Sequence, residues 1–287
     1  MGIFYLHIGL HKTATSTLQK HVFPNIDNTL YLPRDTSNND SLYFRICEYC
    51  FTPEQPKDPS VLRHDILIFL KRTNLLLSEE WFTSDYSGQY GWDSPPWQEK
   101  LKRLAYLVDD CNFSLLATIR SPLTALYSYY ATMCKVGMTE HHASFADFIE
   151  HSNDALAYDY YYLDSTIKML FGKKCQHLKF ETLENHPRVF FNQLSGWLQL
   201  NTPLSPIRKQ ENRTISIGGL RVVSQNKHLA SEHSIHRSPD TTSSNWKARM
   251  RARLSPPKIV LTQKPSRRDI GMIQSKFRST IELYNNP

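Results

Sequence analysis

Ile3-Phe4-Tyr5-Leu6-His7-Ile8-Gly9-Leu10-His11-Lys12-Thr13-Ala14-Thr15-Ser16-Thr17-Leu18-Gln19 is the stretch whose reading decides the fold. Residues 3–8 form a β-rich apolar run, and Gly9 permits the backbone to reverse. A lysine and small hydroxyl residues then open a helix through Leu18, Gln19 and Lys20 that runs to about Phe23. A helix start leaves its first N–H groups free and carries partial positive charge, so this strand, loop and helix read as a phosphate cradle. Lys12 adds a full charge, and the hydroxyls of Thr13, Thr15, Ser16 and Thr17 add side-chain donors. His11 stands where the Walker A pattern needs its second glycine, which disfavours an ordinary NTPase. The plainer alternative is a Ser/Thr-capped helix after a strand, which would not need Lys12 at the loop's end.

The same architecture recurs at residues 113–130. Phe113 to Ile119 reads as a buried strand ending at Arg120-Ser121-Pro122, and Leu123, Leu126, Tyr127 and Tyr130 follow at helical spacing. Ser128 lies eight residues after Arg120, about two turns along, so both residues can converge on one anion. Taken singly, Arg120 would be read as a surface arginine and Ser128 as a helix filler.

Together the two segments resemble the sulfotransferases that use 3′-phosphoadenosine 5′-phosphosulfate (PAPS). His7-Ile8-Gly9-Leu10-His11-Lys12-Thr13-Ala14-Thr15-Ser16-Thr17-Leu18-Gln19 looks like that family's 5′-phosphosulfate loop, and Arg120, Pro122, Ser128 and Tyr130 look like its 3′-phosphate motif. Asn74 to Phe82 resembles its central strand ending in Ser and Glu. His177 to Leu183 resembles its later strand and helix cap, followed by a helix at 189–200. Arg208, Asn212, Arg213 and Thr214 resemble the basic Asn-x-Ser segment that bacterial members place near the nucleotide. Ala14 departs from the usual Gly, Ser121 from Asp or Asn, and Ala125 from a second Arg, a loss for which Arg213 is the candidate compensation.

The resemblance implies an α/β fold, a central parallel sheet flanked by helices of the P-loop-like nucleotide-binding type, over a single domain spanning 1–287. It also implies a bacterial-type enzyme that moves a sulfuryl group from PAPS to a hydroxyl, or secondarily an amine, of a glycan or small metabolite, releasing adenosine 3′,5′-bisphosphate without a metal. The implied donor-binding residues are His11, Lys12, Thr13, Ala14, Thr15, Ser16, Thr17, Arg120, Ser128, Asn212 and Arg213. Lys12 would stabilise the leaving phosphate and Glu80 would be the base, with Glu79 in reserve. Adjacent strand residues face opposite ways, so only one of the two glutamates can enter a cleft. His11 and the pair His141-His142 are rival bases. Two other classes stay open: a P-loop-like small-molecule kinase with Thr13 and Glu80 arranged around Mg²⁺, and a non-catalytic member that binds a polyanion.

The rest of the sequence sets the surroundings. A chain of 287 residues with 40% hydrophobic content can bury a full core. No run approaches the length of a membrane span and no basic n-region precedes the first strand, so a cytoplasmic setting without a membrane anchor is expected. The 5 cysteines include only Cys47-Glu48-Tyr49-Cys50 at CxxC spacing, read as two core thiols on a helix. The net charge of +7 suits an anionic ligand. Its basic extreme runs from Lys247 to Arg268, without a nucleic-acid-binding pattern.

Helices are expected at 41–50, 65–72, 97–110, 144–151, 155–171 and 266–284, and strands at 74–78 and 176–180. Residues 25–40 read as a polar connection and 51–63 as a Pro-rich loop. The Gly-, Ser-, Tyr- and Trp-rich segment 84–96 reads either as a substrate loop or as a loop held by its own aromatic cluster. Residues 231–245 read as a lid or linker before a basic C-terminal segment at 246–287. Ligands of such sheets gather at the carboxyl ends of the strands, where Gly9 to Thr17, Ser78 to Glu80 and Arg120 all fall.

Overall fold

The computed structural model describes residues 1–35, 37–52, 58–206 and 265–285. Strands β1 (Phe4–His7), β2 (Thr29–Leu32), β3 (Asn74–Ser78), β4 (Phe113–Ile119) and β5 (Gln176–Lys179) form one sheet in the order β2-β3-β1-β4-β5. Every neighbouring pair is parallel, with Leu6 opposite both Leu77 and Leu115. The three central strands β1, β3 and β4 are short, largely apolar and almost entirely buried, as covering on both faces requires. Phe4, Leu6, Leu75, Leu77, Leu115 and Ala117 face one core, while Tyr5, Leu76, Leu116 and Leu178 face the other.

The helices that cover the sheet are α1 (Thr15–His21), α2 (Leu42–Phe51), α3 (Pro59–Leu70), α4 (Trp97–Val108), α5 (Pro122–Met133), α6 (Met138–His141) and α7 (Phe145–His151). They are followed by α8 (Asn153–Leu156), α9 (Tyr160–Phe171), α10 (Phe180–Asn185), α11 (Pro187–Trp197), α12 (Arg267–Lys276) and α13 (Arg278–Asn285). The larger core takes residues from α2, α3, α4, α5 and α9, and the smaller from α1, α10 and α11. From β1 the chain first builds toward β2 and β3 and then returns to build β4 and β5 on the opposite side. The order of connection therefore reverses between β1 and β4, a topological switch point that places a crevice at the carboxyl ends of those two strands.

Several boundaries differ from the sequence expectations. The polar connection at 25–40 contains β2, an edge strand too short and too exposed at Leu30 (41%) to show alternation against its turn-rich flanks. Helix α3 starts six residues before the expected 65, because Asp58 caps it and Pro59 occupies the first turn, where a missing N–H costs nothing. The helix expected at 155–171 is two, α8 and α9, since Asp159 accepts from the Tyr161 and Tyr162 N–H groups and starts a new cap. The final helix is likewise divided at Phe277. The expected lid at 231–245, Asn212 and Arg213, and the basic segment up to 264 lie outside the described residues. No helix among the described residues is long and apolar enough to cross a membrane.

Candidate functional site

The loop after β1 is shaped by a buried polar chain. Gly9 sits where a Cβ would come within 2.4 Å of Thr118 Oγ1 and 2.9 Å of both His7 Nε2 and Thr15 Oγ1, so only glycine fits. Beyond it Lys12 (φ 68) and Ala14 (φ 65) adopt left-handed backbone. At Ala14 that conformation is the reason a glycine would be expected there. Ala14 caps α1 without offering its N–H groups a side-chain acceptor.

The protons of the chain can be assigned in order. Thr13 Oγ1 donates its one hydrogen to the Leu10 carbonyl at 2.5 Å, so its 2.7 Å bond with Thr118 must be donated by Thr118. Thr118 Oγ1 then accepts from His7 Nε2 at 3.1 Å, which leaves His7 Nδ1 to accept from Ser78 Oγ at 2.7 Å. Gln19 Nε2 closes the chain by donating to the Ser78 carbonyl at 2.9 Å and to Ser78 Oγ at 3.2 Å. His7 is thus a neutral imidazole protonated on Nε2, and burial pushes its pKa down to about 3. The chain ties the ends of β1, β3 and β4 to the loop and to α1. The hydroxyl of Thr13, expected from the sequence to point at a ligand, is instead fully buried and committed to this scaffold. Thr15 and Thr17 are also buried, whereas Ser16 is only partly so.

Three cations stand at the mouth of the crevice. Lys12 is exposed at the tip of the loop; desolvation against the protein lowers its pKa, Glu80 opposes that, and the neighbouring Lys135 and Arg120 add to it. Arg120 leaves β4 with Nη1 donating to the Lys12 carbonyl at 3.3 Å and its guanidinium 4.8 Å from the Phe180 ring centre. Its Nε is buried without a hydrogen-bond partner. Tyr160 fixes the strand end by donating to the Arg120 carbonyl. Ser128 is half-buried on α5, two turns beyond. Lys135, just past α5, carried no sequence signal because only the fold brings it beside Lys12.

The adjacent glutamates after β3 have different surroundings. Glu79 is fully buried; it accepts from Tyr43 Oη and from the Trp81 N–H at 3.0 Å, and Arg34 Nε lies 3.5 Å away. Glu80 turns the other way, with Oε1 3.5 Å from Arg34 Nη1 and 3.7 Å from His11 Nδ1. Burial, then the charge of Glu79, pushes the Glu80 carboxyl up to about 7, against the pull of Arg34 and Lys12. His11 is wedged 4.4 Å from the Trp81 ring and 5.0 Å from Tyr129. Desolvation and then Lys12, Arg34 and Lys100 hold its pKa well below the ordinary value, so a neutral ring faces Glu80. Arg34, which no sequence motif marks, owes its place to register. Leu32 pairs with Leu77, and two residues on, Arg34 lies beside Glu79.

Segment 84–96 is held from below and from within. Buried Lys100 donates to the carbonyls of Ser84 at 2.5 Å and Asp85 at 3.1 Å and to Ser87 Oγ at 2.5 Å. Asp154 accepts from Tyr129 Oη and the Asp85 N–H, each at 2.5 Å. Above them Trp81, Tyr86, Trp92 and His141 stack in sequence at 4.9, 5.1 and 5.0 Å, the first two contacts edge-to-face. The loop is thus held by its own aromatic cluster, and His141 stands at the far end of this chain of rings from Glu80. His142 is engaged by Asp147 at 3.2 Å. Cys47 and Cys50 are buried on α2, and burial pushes both thiols up, which leaves them inert core residues.

No protein-family profile matches the sequence, and no curated protein matches it. Among solved structures, the chain is similar to a sulfotransferase from Alicyclobacillus acidocaldarius, with 11% identity and a TM-score of 0.44 over 97% of this chain and 96% of that one. It is also similar to the sulfotransferase domain from the curacin biosynthetic pathway, with 11% identity and a TM-score of 0.38 over 97% of this chain and 98% of that one.

Proposed function

We propose that this protein is a sulfotransferase that takes a sulfuryl group from PAPS and places it on a hydroxyl, or secondarily an amine, of a glycan or small metabolite. The observation that carries the reading is the joining of Lys12 and Arg120 across the crevice, through the 3.3 Å bond from Arg120 to the Lys12 carbonyl, with the Glu80 carboxyl close enough to Lys12 to shift its pKa. The unpartnered Arg120 Nε and the left-handed loop suit a nucleotide with phosphates at two positions. In this reading Lys12 holds the 5′-phosphate, and Arg120 with Ser128 holds the 3′-phosphate.

The donor supplies a sulfuryl group whose bond to the 5′-phosphate breaks as one to the acceptor oxygen forms. Lys12 stabilises the negative charge that gathers on the leaving phosphate. Glu80, with a pKa near neutrality, takes the acceptor's proton, while Glu79 is occupied by Tyr43, Trp81 and Arg34. His11, neutral and packed between two rings, shapes the wall beside that carboxyl. The buried hydroxyl of Thr13, which a kinase would need on Mg²⁺, favours sulfuryl over phosphoryl transfer.

The test is calorimetric titration with adenosine 3′,5′-bisphosphate and with Mg-ATP, in the parent, Lys12→Ala and Arg120→Ala. Binding of the bisphosphate in EDTA, weakened at least about tenfold by either substitution, is expected. Preference for Mg-ATP would move the assignment to a kinase, and polyanion binding that persists with no affinity for either nucleotide would favour the non-catalytic reading.

A further inference from the structure

Two side chains from distant parts of the chain reach the Glu80 carboxyl, and both approach the same oxygen. Arg34 Nη1 is 3.5 Å and His11 Nδ1 3.7 Å from Oε1. Arg34 spans both glutamates, because its Nε lies 3.5 Å from Glu79 Oε2. The planar guanidinium suits this double engagement in a way an ammonium would not. Its carbon also sits 5.4 Å from the Trp81 ring centre. The aromatic loop closes on the same place: a Cβ at Gly88 would lie 3.3 Å from Trp81 Nε1 and 3.8 Å from Arg34 Nη2. Arg34 is thus held by Glu79 and Trp81, with the Gly88 backbone close by, before it meets Glu80.

We infer that Arg34 is a positioning residue which, with His11, holds Glu80 by Oε1 and leaves Oε2 to meet the acceptor's proton. This rests on the reading of Glu80 as the base. It divides labour between the paired carboxylates: Glu79 anchors the guanidinium and the guanidinium orients Glu80. His11 supplies a neutral ring, so Arg34 and Lys12 are the cations that act on Glu80, against the charge of Glu79; the nearby buried Tyr158, which donates to the His11 carbonyl, is a neutral phenol.

The experiment is a titration of ¹³C-labelled glutamate carboxyls by NMR in the full chain, with the Glu80 resonance assigned by its loss in Glu80→Gln. Arg34→Met is expected to raise the Glu80 midpoint by about one pH unit or more, since a cation at this range lowers a carboxyl by that much. Affinity for adenosine 3′,5′-bisphosphate should change by less than about threefold, because Arg34 contacts Glu79, Glu80 and Trp81 rather than Lys12 or Arg120. Arg34→Lys keeps the charge though not the planar fork, and on charge alone should return the midpoint to within about half a unit of the parent. Arg34→Gln keeps polar contact with Glu79 without the charge, and carries the same expected shift should the methionine variant not fold. A midpoint unmoved in the folded Met or Gln variant overturns the inference, as does a lysine variant that behaves like methionine. The reading of Glu80 as base fails separately, if Glu80→Gln still transfers sulfuryl groups.

Discussion

Replacing Glu80 by glutamine should make the protein more stable at alkaline pH while removing its chemistry. The carboxyl stands at about 7 in the folded chain against an ordinary 4.5. Between those two pH values the native state keeps a proton that the unfolded chain has released, so stability falls as pH rises through the window, and the penalty is complete above pH 7. At about 1.4 kcal/mol per unit, the full penalty is about 3 kcal/mol, and loss of the Arg34 contact trims it. Glutamine mimics the neutral acid and escapes that penalty. Unfolding of parent and variant should coincide to about 0.5 kcal/mol at pH 4 and diverge toward about 3 kcal/mol at pH 8, a rise in Tm of about 6 °C for a chain of this size. The assay is thermal or urea unfolding of both proteins from pH 4 to pH 8, where the difference curve cancels every other titrating group. A difference that does not change with pH, or a variant no more stable than the parent at pH 8, would refute the reasoning. A group that costs stability where it is ionised and that, in the proposed reaction, takes the acceptor's proton is what a functional site leads one to expect.

Two further outcomes concern the loop. Gly9→Ala forces a Cβ to within 2.4 Å of Thr118 Oγ1, with no flexible end to yield; it should cost about 2–3 kcal/mol in unfolding experiments and weaken bisphosphate binding at least about tenfold by moving the loop. His7 should give the ¹⁵N pattern of an Nε2–H neutral ring and fail to titrate from pH 8 to pH 4. Because the unfolded chain takes up a proton below about 6.5 that native His7 refuses down to about 3, the native state should lose stability as pH falls through that window. An Nδ1–H pattern, or protonation near 6.5, would break the assigned proton order.

Much of the scaffold is legible in the sequence because its signals are local. Apolar runs at 3–8, 74–78 and 113–119 are too short for buried helices and read as buried strands, and Gly9 and Pro122 mark the strand-to-helix turns that follow two of them. β2 escaped because an exposed edge strand needs no apolar alternation, and α3 began early because proline in a first turn looks the same as proline in a loop. Hydroxyl-bearing residues after Lys12 carry no mark of which way they point. The inward commitment of Thr13 arises from Thr118, 105 residues away, and from the close approach that Gly9 allows.

The sequence by itself determined the parallel α/β layout and the meeting of three polar segments at the carboxyl ends of the strands, since strand periodicity and turn residues are properties of neighbours along the chain. Which glutamate faces the crevice was left to tertiary structure: Tyr43 on α2 and Arg34 beyond β2 occupy Glu79, and His11 flanks Glu80. The same holds for the pKa of that carboxyl, because burial and the balance of Glu79 against Arg34 and Lys12 depend on distances that exist only after the sheet has brought β1, β2 and β3 side by side.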